Sequence, residues 1–195
     1  MSNFENTIIL LMGIAGVGKR AIAQSMVQQD NSFHMVLNDS WVDPILRLFG
    51  DEPTVMNDLT PAGWAAIHKA CDVILDTITY VCPKSSNFVI TNELLDGNQW
   101  HQDFYKKIEA LIKNKNAHFV PVRLICDTSV LLKRVVSEDR RSFRKTMDAH
   151  LVENRANTSE VFKTNHKNEL TLDTTNLTTQ QSAEKIYQHL SKVLK

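Results

Sequence analysis

Ile8-Ile9-Leu10-Leu11-Met12-Gly13-Ile14-Ala15-Gly16-Val17-Gly18-Lys19-Arg20 decides how the rest of this 195-residue sequence is read. Its apolar run, Ile8 to Met12, has the pattern of a strand buried on both faces, and a glycine-rich turn then hands over to the helical segment Ala21-Ile22-Ala23. Gly13 and Gly18 have the spacing of G-x-x-x-x-G-K, in which backbone N–H groups converge on phosphate oxygens and the lysine, here Lys19, adds a point charge. Such a loop approaches its ligand too closely for a Cβ, so glycine stands at both ends. The residue after the lysine should be Ser or Thr, whose hydroxyl ligates Mg²⁺, and here it is Arg20. Three readings of Arg20 stay open: a solvent-facing residue of the first helical turn, a replacement for part of the metal's charge, or the mark of a protein that binds nucleotide without turning it over.

Composition narrows the field. No long Pro/Gly/Ser linker interrupts the sequence, so one domain over residues 1–195 with a substantial core is expected. A formal net charge of zero argues against a generally basic nucleic-acid surface. Cys71, Cys82 and Cys126 lie in apolar stretches without C-x-x-C spacing and are expected as buried, reduced thiols, which fits the cytoplasm. No targeting signal and no apolar run near ~20 residues is read, so no membrane partner is expected. The seven histidines show neither H-E-x-x-H nor zinc-finger spacing, and no G-x-S-x-G anchors a serine hydrolase.

Strand and helix signals alternate along the chain, the pattern of an α/β domain with a mostly parallel sheet. Helix is expected over 21–29, a second strand over Phe33 to Leu37, and a short helix opened by Asp43-Pro44 acting as N-cap and first residue. Thr60-Pro61 opens a longer helix that Pro83 stops, with Trp64, Ile67, Cys71, Ile74, Leu75 and Ile78 as its inward stripe. Phe88-Val89-Ile90 is the third strand, Trp100 to Leu111 a helix, and His118 to Asp127 the fourth strand. Thr128-Ser129 caps a helix that runs into a basic segment holding Lys133, Arg134, Arg140, Arg141, Arg144 and Lys145. Helix over 147–157, a fifth strand at Leu170-Thr171-Leu172 and a last helix behind the capping box Thr178 to Gln181 complete the reading.

Ligands of open parallel sheets bind beyond the carboxyl ends of the strands. Asn38-Asp39-Ser40, Thr91-Asn92-Glu93 and Asp173-Thr174-Thr175 follow strand ends there, and with Gly13 to Lys19 they can surround one cleft. Phosphoryl transfer suits such parts, because it needs mainly positioning and charge neutralisation. Asp39 is the candidate to orient an acceptor hydroxyl and take its proton, and the local sequence equally suits an N-cap or Asx-turn residue. Glu93 is a candidate to hold the metal through water, or a loop residue without that role. The arginines of the basic segment read as a lid over 137–146 or as a solvated helical face.

The phosphate loop resembles the Walker A loop of P-loop kinases. With Asp39 after the second strand, Leu131-Leu132-Lys133-Arg134 followed by Arg140-Arg141, and Leu172-Asp173-Thr174-Thr175 before the final helix, the whole chain resembles the small P-loop kinases. That group includes adenylate, shikimate and gluconate kinases and chloramphenicol phosphotransferase. The resemblance implies a three-layer fold with a five-stranded parallel sheet and a basic lid, with ATP and Mg²⁺ as cofactors. Gly13, Ala15, Gly16, Val17, Gly18, Lys19 and Arg20 would hold the phosphates and Arg134 would pack near adenine. Thr174, Thr175 and Asn176 would lie near the base, and Arg140 or Arg141 would close on the phosphates. Asp39, Ser40 and Arg155 would face the acceptor, the Asp39-Ser40 pair being similar to the chloramphenicol phosphotransferase pattern. Shikimate is not expected, since Thr91-Asn92-Glu93-Leu94-Leu95 stands where shikimate kinases carry a glycine cluster.

The expected activity is ATP-dependent phosphoryl transfer to a hydroxyl or phosphate of a small metabolite. The alternatives are a nucleotide-binding module with little or no catalysis and a kinase of nucleic-acid ends, which would show salt-dependent oligonucleotide binding. Acceptor contacts are expected from Trp41 to Asn57 and from Leu94 to His101. Lys19→Ala should abolish ATP binding in titration calorimetry, and unchanged affinity would refute the phosphate-loop assignment.

Overall fold

The structure, a computed structural model, describes residues 4–50, 58–137 and 147–194. Its centre is β1 (Thr7–Met12), buried along its whole length. Ile8 to Met12 have no exposed surface, as a strand covered by helices on both faces requires. β1 lies between β3 (Asn87–Asn92) and β4 (His118–Ile125), with β2 (Phe33–Val36) and β5 (Leu170–Asp173) at the edges, and every pairing is parallel. Leu10 pairs with Ile90 on one side and Pro121 on the other. The chain leaves β1 toward β2 on one flank and reaches β4 on the other, so the end of β1 is the switch point of the sheet, where a ligand crevice opens.

Helices α1 (Lys19–Gln29) and α7 (Thr179–Val193) pack together, joined by the Tyr187 hydroxyl donating to the Met26 carbonyl at 2.8 Å. The predicted capping box at Thr178 and Gln181 is formed in full. α3 (Pro61–Asp76) begins at the predicted Thr60-Pro61 device, Thr60 accepting from the Gly63 N–H, and runs on through a π-helical turn, Thr77–Val81. Across from that turn, α4 (Gln99–Lys115) ends on a lysine only 2% exposed. Its amine donates to the Cys82 and Pro83 carbonyls at 3.4 and 3.1 Å, so a buried cation satisfies the chain end that the helix leaves open. α5 (Thr128–Val135) and α6 (Ala149–Thr158) complete the set, with Asp127 in the N-cap position of α5 and Asp148 capping α6. No described helix is long and apolar enough to cross a membrane.

Several expectations change. Trp64, expected on the inward stripe of α3, is exposed, while Ile67, Cys71, Leu75 and Ile78 are buried. Asp127, not Thr128-Ser129, takes the N-cap position of α5. The helix after β2 does not start at Asp43-Pro44; α2 spans Asp39–Leu46 with Pro44 inside it. Trp41, 2% exposed and 6.1 Å from the Phe104 ring, and Leu46 anchor this helix. Their burial outweighs the single hydrogen bond that proline forfeits. Asp39 and Ser40 are therefore first-turn helical residues, not loop. The three cysteines are free as expected, but only Cys71 is fully buried, its thiol pushed up to about 12 by burial. The expected lid lies outside the described residues, apart from Ser137.

Truncating the central strand should be costly. Leu10→Ala is expected to lower stability by about 2–5 kcal/mol, read as a reduced urea midpoint, with a shift below 1 kcal/mol contradicting this placement.

Candidate functional site

Gly18 is the N-cap of α1 at φ 103°, a left-handed backbone that suits glycine. At the other end of the loop, a Cβ on Gly13 would sit 2.7 Å from the Leu124 carbonyl oxygen, so only glycine lets the turn lie against β4. The Val17 N–H donates to the Ile14 carbonyl at 3.2 Å, closing the turn over the start of α1. There the first N–H groups lack acceptors within the helix and the dipole favours anions. Val17 is buried, whereas Ala15, Gly16 and Gly18 are partly open. Lys19 lies back across the loop, its Nζ donating to the Gly13 carbonyl and, at 3.1 Å, to that of Ile14.

Arg20 Nη1 donates to Asp39 Oδ2 at 3.0 Å. The pair joins the first turns of α1 and α2, which leave the carboxyl ends of β1 and β2. With Asp39 13% and Arg20 29% exposed, solvent screens this pair less than a surface one. Ser40 follows in the same turn and is exposed.

At the end of β3, Arg155 Nη1 from α6 donates to Glu93 Oε2 at 3.0 Å. Asn92 Oδ1 accepts from the Glu93 N–H at 2.9 Å. Asn92 Nδ2 and Glu93 Oε1 are buried without a hydrogen-bond partner among the described residues. An open buried donor beside an open buried acceptor is a cost that a bound polar molecule can relieve. His101 Nδ1 accepts from the Leu95 N–H at 2.9 Å, and burial pushes its pKa below the ordinary value while Glu93 opposes this.

The turn after β5 faces inward. Thr174 is 2% exposed, and its hydroxyl lies 3.2 Å from the Val17 carbonyl and 3.1 Å from that of Ile125. Arg134 donates to the Thr174 hydroxyl and carbonyl at 3.2 and 2.8 Å. Thr174 thus braces the Gly13 to Lys19 turn from behind and Arg134 clasps the brace. Thr175 Oγ1 accepts from the Asp127 N–H at 2.9 Å, and Asn176 is exposed. Arg140 and Arg141 lie outside the described residues.

The sequence family described as chloramphenicol phosphotransferase-like protein matches residues 6–191. The chain belongs to that family. Among solved structures it is similar to a gluconokinase from Sinorhizobium meliloti, at TM-score 0.65 and 14% identity over 98% of this chain and 95% of that one. A putative kinase from Chloroflexus aurantiacus gives TM-score 0.64 and 16% identity over 98% and 99%. A shikimate kinase from Acinetobacter baumannii, in complex with shikimate, gives TM-score 0.56 and 16% over 99% and 97%. No curated protein sequence matches significantly. The structural likenesses establish the P-loop kinase fold, and the family makes the chain a relative of phosphotransferases.

Position 20 carries a guanidinium where the phosphate-loop pattern expects a hydroxyl, and the Asp39 and Glu93 carboxylates each accept from an arginine at 3.0 Å. Glu93 Oε1 is an open oxygen, but no three His, Cys, Asp or Glu side chains gather for a metal among the described residues. A divalent ion held through position 20 does not fit these residues.

Sequence reasoning placed Asn92 in a strand-end cluster and His101 in the expected acceptor stretch, but gave neither a role of its own. Nor did it find the stack of His68 on Trp100, with ring centroids 3.5 Å apart, which depends on how α3 meets α4. The segment 159–163 also escaped it. There Val161 bridges Leu95 in antiparallel fashion, and Arg123 donates to the Val161 and Phe162 carbonyls.

Thr174→Val keeps the shape of the brace and removes its hydroxyl. It should cost about 1–3 kcal/mol in urea unfolding, and a neutral effect would deny the brace. Burial also lowers His68, His101 and His166 from 6.5. Below that pH the unfolded chain takes up protons that the folded chain refuses, so this stability is complete above 6.5 and declines beneath it. The urea midpoint should be lower at about pH 5.5 than at about pH 7.5.

Proposed function

We propose that this chain moves the γ-phosphoryl group of ATP to a hydroxyl or phosphate of a small molecule. One observation carries the reading: Asp39, a carboxylate able to orient an acceptor, lies 3.0 Å from the residue that follows the phosphate-loop lysine. Donor and acceptor machinery thus share one end of the sheet. In this scheme the Gly13 to Gly18 backbone and Lys19 hold the phosphates, and Arg134 with the Thr174 to Asn176 turn bounds the base. Ser40 and Arg155 face the acceptor, and Asn92 Nδ2 with Glu93 Oε1 supplies an open donor and an open acceptor to a hydroxylated molecule.

For a hydroxyl acceptor, its oxygen forms the new bond to the γ-phosphorus, the bond to the β–γ bridging oxygen breaks, and ADP leaves. The acceptor proton passes to Asp39. Electrostatic neutralisation by the loop and Lys19 supports the charge on the transferred group.

The second reading is a nucleotide-binding module with little turnover. The contact of Asp39 with Arg20 favours it, because that carboxylate oxygen is already engaged.

ADP release measured across a panel of hydroxylated and phosphorylated acceptors tests both. Acceptor-dependent ADP supports transfer, whereas ATP binding without ADP across the panel, even after Arg20→Ser, supports the binding module. Where transfer occurs, Asp39→Asn should slow it at least ~100-fold and leave the ATP dissociation constant within about fivefold. A larger loss of ATP affinity would move Asp39 from acceptor chemistry to the nucleotide site.

A further inference from the structure

We infer that the acceptor is a neutral molecule with at least two hydroxyl groups, one seated on Asn92 and Glu93 at the end of β3 while another accepts the phosphoryl group; the inference deepens the transfer reading and rests on it. Asn92 Nδ2 and Glu93 Oε1 are buried without a partner among the described residues. An amide nitrogen only donates and an ionised carboxylate oxygen only accepts. A hydroxyl does both, so the hydroxyls of one molecule answer both atoms and recover the cost of leaving them unmet. Asn92 is 8% exposed and the Glu93 side chain 20%, so both side chains touch the surface, and a small side-chain adjustment of the kind that commonly accompanies binding brings a ligand to the open atoms.

The anchor stands close to the acceptor carboxylate. β2 and β3 are paired neighbours, about 4.8 Å apart, and the Asn38 N–H donates to Thr91 Oγ1 at 3.4 Å. That bond ties the residue before Asp39 to the residue before Asn92, so a molecule carrying several hydroxyls spans both places. Charge selects the neutral form of such a molecule. Arg155, the cation beside Glu93, is matched by that carboxylate at 3.0 Å. Burial outweighs the Glu93 carboxylate and lowers the His101 pKa, so the imidazole is uncharged at neutral pH and adds no cation. A carboxylate or phosphate on the acceptor would meet Glu93 Oε1 as a like charge, and in a partly buried place the repulsion exceeds that in water.

ADP release by the full chain tests this with a panel of aldoses and alditols, each beside its aldonate and its monophosphate at equal concentration. The neutral member is expected to show kcat/KM at least ~10-fold above its charged counterparts. Asn92→Asp keeps the oxygen that accepts from the Glu93 N–H and removes the donor. It should raise the acceptor KM at least ~10-fold and leave the ATP dissociation constant within about twofold. Glu93→Gln leaves Arg155 unmatched and should move the preference at least ~10-fold toward the aldonate, a change of specificity that loss of a merely structural contact would not produce. A wild-type preference for the charged acceptors, or a Glu93→Gln preference equal to that of the wild type, would overturn the inference even if Asn92→Asp failed to fold. Absence of acceptor-dependent ADP from every member of the panel would instead remove the transfer reading, and this inference with it.

Discussion

The close approach of Gly13 to β4 is the constraint on which the arrangement depends. A side chain there would sit 2.7 Å from the Leu124 carbonyl, so the turn leaving β1 lies flat against its neighbour and delivers the chain straight into α1. Because β1 is the middle strand and wholly buried, that turn is fixed by the most solid part of the molecule. The brace of Thr174 on Val17, clasped by Arg134, secures it from the β5 side. A loop held rigid in this way would lose less ordering entropy on meeting a ligand.

On that frame, charge is distributed in pairs. Arg20 with Asp39, and Arg155 with Glu93, each set a cation of one element against a carboxylate at the start or end of another. Partly buried pairs of this kind contribute little net stability, because desolvation offsets attraction. What they do is fix where charge stands at this end of the sheet.

The sheet and most helices were legible because they depend on local pattern. The apolar run Ile8 to Met12, the glycine spacing, Thr60-Pro61 and the Thr178 capping box each carry their signal within a few residues. The start of α2 was not legible: Asp43-Pro44 gave a strong local cue, and the burial of Trp41 against Phe104, 63 positions away in sequence, overrode it. Arg20 and Asp39 were each visible as candidates, but their contact spans two helices whose relative rotation no periodicity reports. The same holds for Asn92, whose open amide is evident only once its surroundings are placed, and for segment 159–163, which carries a single antiparallel bridge and no strand-length pattern.

That bridge has an evolutionary consequence. Leu95 and Val161 pair across the site, the Asp96 N–H donates to the Glu160 carbonyl and the Phe162 N–H to that of Leu94. The loop between β3 and α4 is thereby stitched to the segment after α6, while Glu93 and Arg155 add a charged stitch nearby. Neither stretch can change length or direction alone without opening these two backbone hydrogen bonds. Substitutions that retune what this end of the sheet accepts should therefore be inherited in matched sets, one in 93–98 accompanied by one in 155–163, and a homologue that grafts only one of the two stretches should fold poorly rather than acquire a new preference.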